Sequence, residues 1–152
     1  MKIDKTDHAL LTTLQEEGRT TNAKLAESVN LSETPTWRRL KRLEEAGFIE
    51  GYHAVLNKKL LGFGIYAFVQ IFSENHTDDS LEQFEKDIQK IPEILCCHNI
   101  TGDADYILQV VAKDLEAYEK LLRKVLRRLP GVKSVKTSIS MREVKGTTHL
   151  PL

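Results

Sequence analysis

The chain has 152 residues, 41% of them hydrophobic and 29% charged, with 22 basic and 22 acidic side chains in formal balance. That length suits one ordinary domain or two small ones, each with a real core, and the zero net charge means that any affinity for nucleic acid must come from local placement. No apolar run approaches the length of a membrane span, no charged n-region with an apolar h-region opens the chain, and the adjacent Cys96 and Cys97 are no disulfide framework, so a cytoplasmic location is expected.

Lys2 to Glu17 puts Ile3, Leu10, Leu11 and Leu14 at helical spacing, with Asp4 or Thr6 able to cap the helix and Gly18 to stop it. Thr21 to Val29 predicts a short helix with Leu25, Ala26 and Val29 on one face. Asn30-Leu31-Ser32 reads as a tight turn, in which Asn tolerates a left-handed backbone and Leu31 plugs the space between two helices. A basic helix follows: Ser32 can cap it, Glu33 and Pro35 suit its first turn, and Gly47 suits its stop. At about 100° per residue, Thr36, Leu40 and Leu43 share one side with Trp37 on its edge, while Thr34, Arg38, Lys41 and Arg42 share the other.

A helix laid in the major groove needs short side chains where backbones approach and arginines for guanine edges and phosphates. On that reading Arg38 and Arg42, one turn apart, reach bases or phosphates, with Ser32, Thr34 and Thr36 near the helix start. Arg39 and Lys41 flank them on phosphate, and Trp37 either seals the seam between helices or stacks on the duplex. A basic amphipathic helix with a merely solvated face is the simpler object when this stretch is taken alone. Two short helices joined by such a turn, braced by the first helix, make a helix-turn-helix.

Phe48 to Leu56 alternates and carries Gly51, which predicts a short strand or wing; residues 57–64, with two glycines and Lys58-Lys59, read as a link between domains. From Ile65 the pattern changes. Ile65 to Phe72 is an apolar strand, Ser73 to Ser80 is polar, and Asp79 or Ser80 can cap a helix from Leu81 to Ile91 that Pro92 ends. Ile94 to Thr101 is a strand, Gly102 to Asp105 a turn and Tyr106 to Ala112 a second strand. Asp114 caps a helix to Leu129, and Val132 to Val144 contains the last strand. The order βαββαβ is the ferredoxin-like plan, an antiparallel sheet with both helices on one face. The expected fold is α+β: a helix-turn-helix domain over 1–56, a linker over 57–64 and a βαββαβ domain over 65–152.

An enzyme would have to draw on Cys96, Cys97, His98, Asp103 and Asp105, but neighbouring strand residues point to opposite faces, so the two thiols cannot serve one centre. His8, His53, His76, His98 and His149 show no ligand spacing within one element. Neither catalysis nor a metal is expected, while a redox role for the thiols stays open.

These residues, in this order, resemble the leucine-responsive regulatory protein/asparagine-synthetase regulator (Lrp/AsnC) family of transcription factors. The likeness runs through Asp7 to Leu14, Leu25-Ala26, Leu31-Ser32, Arg38 to Glu44 and Gly47-x-Ile49. It continues through Thr101-Gly102-Asp103-Ala104-Asp105-Tyr106, Leu129-Pro130-Gly131-Val132, Arg142-Glu143-Val144-Lys145 and the terminal Leu150-Pro151-Leu152. The resemblance implies double-stranded DNA as partner, dimers whose sheets pack together and assemble to octamers, and a free amino acid as effector rather than a cofactor. Carried over by position, the effector site would comprise Thr101, Gly102, Asp103, Asp105 and Tyr106, with Leu115, Ser138 and Ile139 facing it and His98 close to the loop.

In physical terms Asp103 or Asp105 can take the effector's ammonium, amides around Gly102 can approach its carboxylate, and Leu115 and Ile139 would meet an apolar tail. The plain reading of Thr-Gly-Asp-Ala-Asp is a hairpin turn. The implied function is regulation of transcription through DNA binding that responds to the effector by a change of assembly; the rival is an architectural DNA-binding protein with no ligand.

Overall fold

The computed structural model describes residues 2–74 and 78–152. Two compact units emerge: Met1–Leu56 together with Lys145–Leu152, and Asn57–Val144. The expected division assigned the last eight residues to the sheet domain; instead they return to the helical unit, where the Gln15 amide clasps the Leu150 backbone. Leu150 N–H donates to Gln15 Oε1 at 2.6 Å, and Gln15 Nε2 donates to the Leu150 carbonyl at 3.1 Å.

The helical unit holds α1 (Lys5–Glu16), α2 (Asn22–Ser28) and α3 (Glu33–Glu45). Asp4 starts α1 through a reciprocal cap: its Oδ1 accepts from Asp7 N–H at 2.9 Å, and Asp7 Oδ2 accepts from Asp4 N–H at 3.0 Å. Thr21 caps α2. Both α2 and α3 then end in the same way. After α2, Asn30 is left-handed at φ 53, its N–H donates to Glu27 O, and Leu31 N–H donates to Ala26 O. After α3, Gly47 sits at φ 75, with Gly47 N–H on Glu44 O and Phe48 N–H on Leu43 O. Leu10, Leu25, Ala26 and Leu43 form the buried apolar set. Leu31, expected to plug the space between helices, is 37% exposed, while Leu25, Ala26 and Leu43 are buried.

Residues 48–56 form no strand. A strand needs a ladder partner, and among the described residues the backbone of 49–56 makes no backbone–backbone hydrogen bond. Residues 57–64, expected as a linker, are a folded turn of the second unit: Phe63 N–H reaches Lys58 O, and Gly64 N–H reaches Lys113 O at 2.9 Å.

The second unit follows the βαββαβ order: β1 (Ile65–Ser73), α4 (Asp78–Ile88), β2 (Ile94–Asn99), β3 (Tyr106–Ala112), α5 (Leu115–Lys124) and β4 (Val132–Ile139). The sheet is antiparallel in the order β2-β3-β1-β4. Alternate residues Ala67, Val69 and Ile71 of β1 and Leu108 and Val110 of β3 are buried with Phe84 and Ile88 of α4 and Tyr118 and Leu121 of α5, so both helices cover one face. The other face is open and carries Tyr66, Phe68 and Phe72 from β1 with Ser134, Lys136 and Ser138 opposite or beside them.

Helix α4 begins earlier than expected, which puts Asp79 and Ser80 inside it; the part of the polar loop at 75–77, with His76, lies outside the described residues. Where one helix was expected to Leu129, α5 stops at Lys124 and a tight 3-10 turn spans Leu126–Arg128. Val125 breaks the regular backbone at φ −118, and the tighter turn brings fully buried Leu126 into the core.

Candidate nucleic-acid interface and effector loop

Helix α3 presents two different sets of polar side chains. Thr34, Trp37, Arg38 and Lys41 are exposed at i, i+3, i+4 and i+7, a continuous stripe along one face. Trp37 is 48% exposed, so the seam-sealing role does not describe it; the Lys41 ammonium lies 5.3 Å from its ring centroid. Thr36, in contrast, is fully buried and donates its hydroxyl to Ser32 O at 2.9 Å, which takes it away from any duplex. Ser32 starts the helix without a side-chain cap bond.

Arg39 and Arg42 are engaged within the protein. Asp7 of α1 is fully buried, and its Oδ1 accepts from Arg39 Nη1 while its Oδ2 accepts from Arg42 Nη2, both at 2.8 Å. Arg39 Nη1 also reaches Asp4 Oδ2 at 2.7 Å. The Asp7 N–H and, after it, the Arg39 guanidinium hold the Asp4 carboxyl below the usual carboxylate range; Asp4 and Asp7 in turn raise Arg39 above its ordinary value. Two of the basic side chains expected on DNA thus tie α3 to the start of α1. Sequence reasoning missed Asp7, although the Asp4-x-x-Asp7 spacing of a reciprocal cap pointed to a carboxylate at that position.

The effector residues are not brought together in one chain. Thr101, Gly102 and Asp103 are exposed in the loop between β2 and β3, with Gly102 at φ 116, a conformation that side chains disfavour. Asp103 has no partner among the described residues, whereas Asp105 is committed: its Oδ2 accepts from Ser73 N–H at 2.7 Å, its N–H donates to Ile71 O, and its carbonyl accepts from Ile100 and Asn99. Tyr106 is a core residue, tilted on Phe84, its hydroxyl donating to Glu85 at 3.2 Å; burial and that carboxylate push its phenol up to about 12.

Leu115, Ser138 and Ile139 lie at the other end of the sheet. Tyr106 pairs with Ile71 and Ile139 with Ala67, four strand residues away and so about 13 Å along β1 at the usual rise. Ser138 and Ile139, expected to face one site together, alternate: Ser138 pairs with Phe68 on the open face and Ile139 with Ala67 on the helix side. His98 is turned to Cys96 on its own strand. A groove of about 360 Å³ runs between α4 and β2, and of the expected effector residues only Tyr106 lines it.

Comparison with known proteins bears on both sites. Residues 66–150 match the Lrp/AsnC ligand binding domain, and residues 3–50 match a winged helix-turn-helix DNA-binding domain. The leucine-responsive regulatory protein of Escherichia coli is 43% identical over 148 residues, covering 97% of this chain and 90% of its own length. Among solved structures, a transcriptional regulator of Neisseria meningitidis in complex with L-Met superposes with a TM-score of 0.95 at 39% identity, covering 99% of this chain and 97% of its own. An AsnC family transcriptional regulator of Agrobacterium tumefaciens gives 0.92 at 32% identity, covering 98% and 97%. The chain belongs to the Lrp/AsnC family of DNA-binding transcriptional regulators, with a helix-turn-helix reader ahead of an α+β ligand-binding domain.

Proposed function

We propose that α3 reads duplex DNA through Arg38, with Thr34 and Lys41 on phosphate and Trp37 against the sugar–phosphate wall, while Arg39 and Arg42 act as struts. The observation that carries this reading is the split on α3: one stripe is exposed, and the other pair of guanidiniums is closed onto Asp7. A single base-reading arginine contributes about 1–3 kcal/mol of discrimination. The test uses duplexes selected from a genomic pool by the wild-type protein, at physiological salt. Arg38→Ala is expected to bind them more weakly; equal binding ends the proposal.

The effector of this chain is a free amino acid, held between copies rather than within one. Two observations support this: the Neisseria relative was solved with L-Met, and the expected residues sit at opposite ends of β1, so a site that uses both sets needs two chains. In that site Asp103 takes the ammonium, the amides beside Gly102 approach the carboxylate, and Leu115 or Ile139 of another copy meets the side chain. The open sheet face with Tyr66, Phe68 and Phe72, and the unpaired backbone of 49–56, are surfaces for self-association in a cytoplasmic oligomer. An effector that alters how many α3 helices engage one DNA molecule can shift avidity by about 10²–10⁴. Calorimetry against the twenty amino acids, paired with sedimentation, is expected to give heat and a change of size for at least one. No heat and no change for any of them favours an architectural protein without a ligand.

A further inference from the structure

The chain balances 22 basic against 22 acidic residues, yet the two signs are not spread evenly. Residues 120–136 hold seven basic side chains and no acidic one, which leaves the remainder of the chain net acidic. They run along the second half of α5, the 3-10 turn Leu126–Arg128 and the start of β4, an edge of the sheet. Lys120, Arg123, Lys124 and Arg127 recur at i, i+3, i+4 and i+7, and all four, with Arg128 and Lys133, are exposed. Arg127 and Lys133 line one hollow of about 260 Å³ together with Val132, Ser134 and Val135. Within this set only Arg123 has an ion pair among the described residues, to Glu119 Oε1 at 2.9 Å.

Cations suit a helix C-terminus, which accounts for Arg123 and Lys124 on α5 but not for Lys133 on a strand. Like charges three and four residues apart repel, so the stripe opposes itself until counter-ions or a polyanion cover it. Nothing apolar interrupts it: among the described residues, no large hydrophobic side chain from 116 to 138 is exposed. A membrane surface or a protein partner calls for apolar anchors. A duplex backbone asks for charge alone, and this chain is a DNA-binding regulator. We infer that Lys120, Arg123, Lys124, Arg127, Arg128 and Lys133 form a second DNA surface, on the ligand-binding domain, that holds duplex phosphates outside the bases the helix-turn-helix reads. Its cations displace condensed counter-ions without touching base edges, so it adds affinity and salt dependence but no sequence discrimination. It stands whether or not Arg38 is the base-reading residue.

The full chain is titrated across a range of salt with duplexes of about 20 base pairs, enough for two half-sites, and of about 80 base pairs carrying the same site. On the long duplex Arg127→Gln/Lys133→Gln is expected to bind at least about tenfold more weakly than wild type, with the slope of log affinity against log salt reduced by about 2. On the short duplex it is expected to match wild type. The charge-conserving Arg127→Lys/Lys133→Arg is expected to keep the wild-type slope at both lengths. Lys86→Gln/Lys90→Gln removes as much charge from the α4 side, where both lysines are paired with carboxylates, and is expected to leave the slope unchanged. Arg38→Ala reports on the other site: it is expected to lower the preference for selected over random duplex at both lengths, a preference that Arg127→Gln/Lys133→Gln keeps. A wild-type slope for Arg127→Gln/Lys133→Gln on the long duplex, a loss as large on the short one, or an equal loss from Lys86→Gln/Lys90→Gln overturns the inference.

Discussion

In the helical unit a carboxylate, Asp7, shares the buried core with Leu10, Leu25 and Leu43; among the described residues of the sheet unit the buried set is apolar apart from the tyrosine hydroxyls of Tyr106 and Tyr118. Each of those hydroxyls has a partner at the margin, Glu85 for Tyr106 and Thr137 for Tyr118. The contrast follows from size. Two helices on a four-stranded sheet bury enough apolar surface to fix their own geometry. Three short helices bury few large side chains, and there a two-armed ion pair, directional where dispersion is not, sets the angle of α3 against α1. Specificity of position in the reader rests on charge, and in the sensor on packing.

The largest effect is expected where packing dominates. Leu108→Ala, at a fully buried position central in the sheet, should cost about 4 kcal/mol through lost burial and the cavity left behind, read as a lowered urea midpoint. Next comes Asp7→Ala, which leaves two guanidiniums facing an apolar gap; since both retain some solvent, about 3 kcal/mol is expected. If its melting matches wild type, charge does not fix the reader and the comparison fails. Arg38→Ala should weaken DNA binding by about 1–3 kcal/mol with unchanged melting, whereas Arg42→Ala, half-exposed, should lower stability by about 1 kcal/mol. Reversal of that pattern would return Arg42 to the DNA.

Gly47→Ala is of similar size. It places a Cβ at φ 75 with no atom within 4 Å to strike, so the expected loss of about 1 kcal/mol is conformational alone. The last prediction concerns acid. The Asp4 carboxyl is held low when folded, so its contribution is complete above the unfolded carboxylate range and is lost as pH falls through the lowered folded value. Thermal unfolding followed from neutral pH downward should therefore show Asp4→Asn losing its stability difference from wild type only in strong acid.

What the sequence made legible was mostly local. Asp4, Asn30 and Gly47 each act within a few residues of themselves, so residue type and spacing sufficed to foresee a cap, a turn and a stop. The βαββαβ order was legible for a similar reason, since alternation and helical spacing are properties of a single element. Asp7 was not legible as a counter-ion, because its partners lie 32 and 35 residues away on another helix, and a wheel drawn on α3 alone leaves Arg42 free. The same holds for Asp105, whose tie to Ser73 spans 32 residues. The opposite facing of Ser138 and Ile139 was legible but unused: strand alternation forbids their sharing a face, a rule applied to Cys96 and Cys97 but not to them. Residues 48–56 alternate like a strand yet find no ladder partner among the described residues, and pattern alone does not say where a ladder will come from.

The clasp between Gln15 and Leu150 has a practical sequel. Since the polypeptide leaves the helical unit at Leu56 and rejoins it at Lys145, the sensor is an insertion within the reader's own covalent span. A change at Gln15 or within residues 145–152 therefore acts on the helical unit rather than on the sheet. Opening that clasp, as Gln15→Ala would, is a means of loosening the reader while leaving the sheet intact.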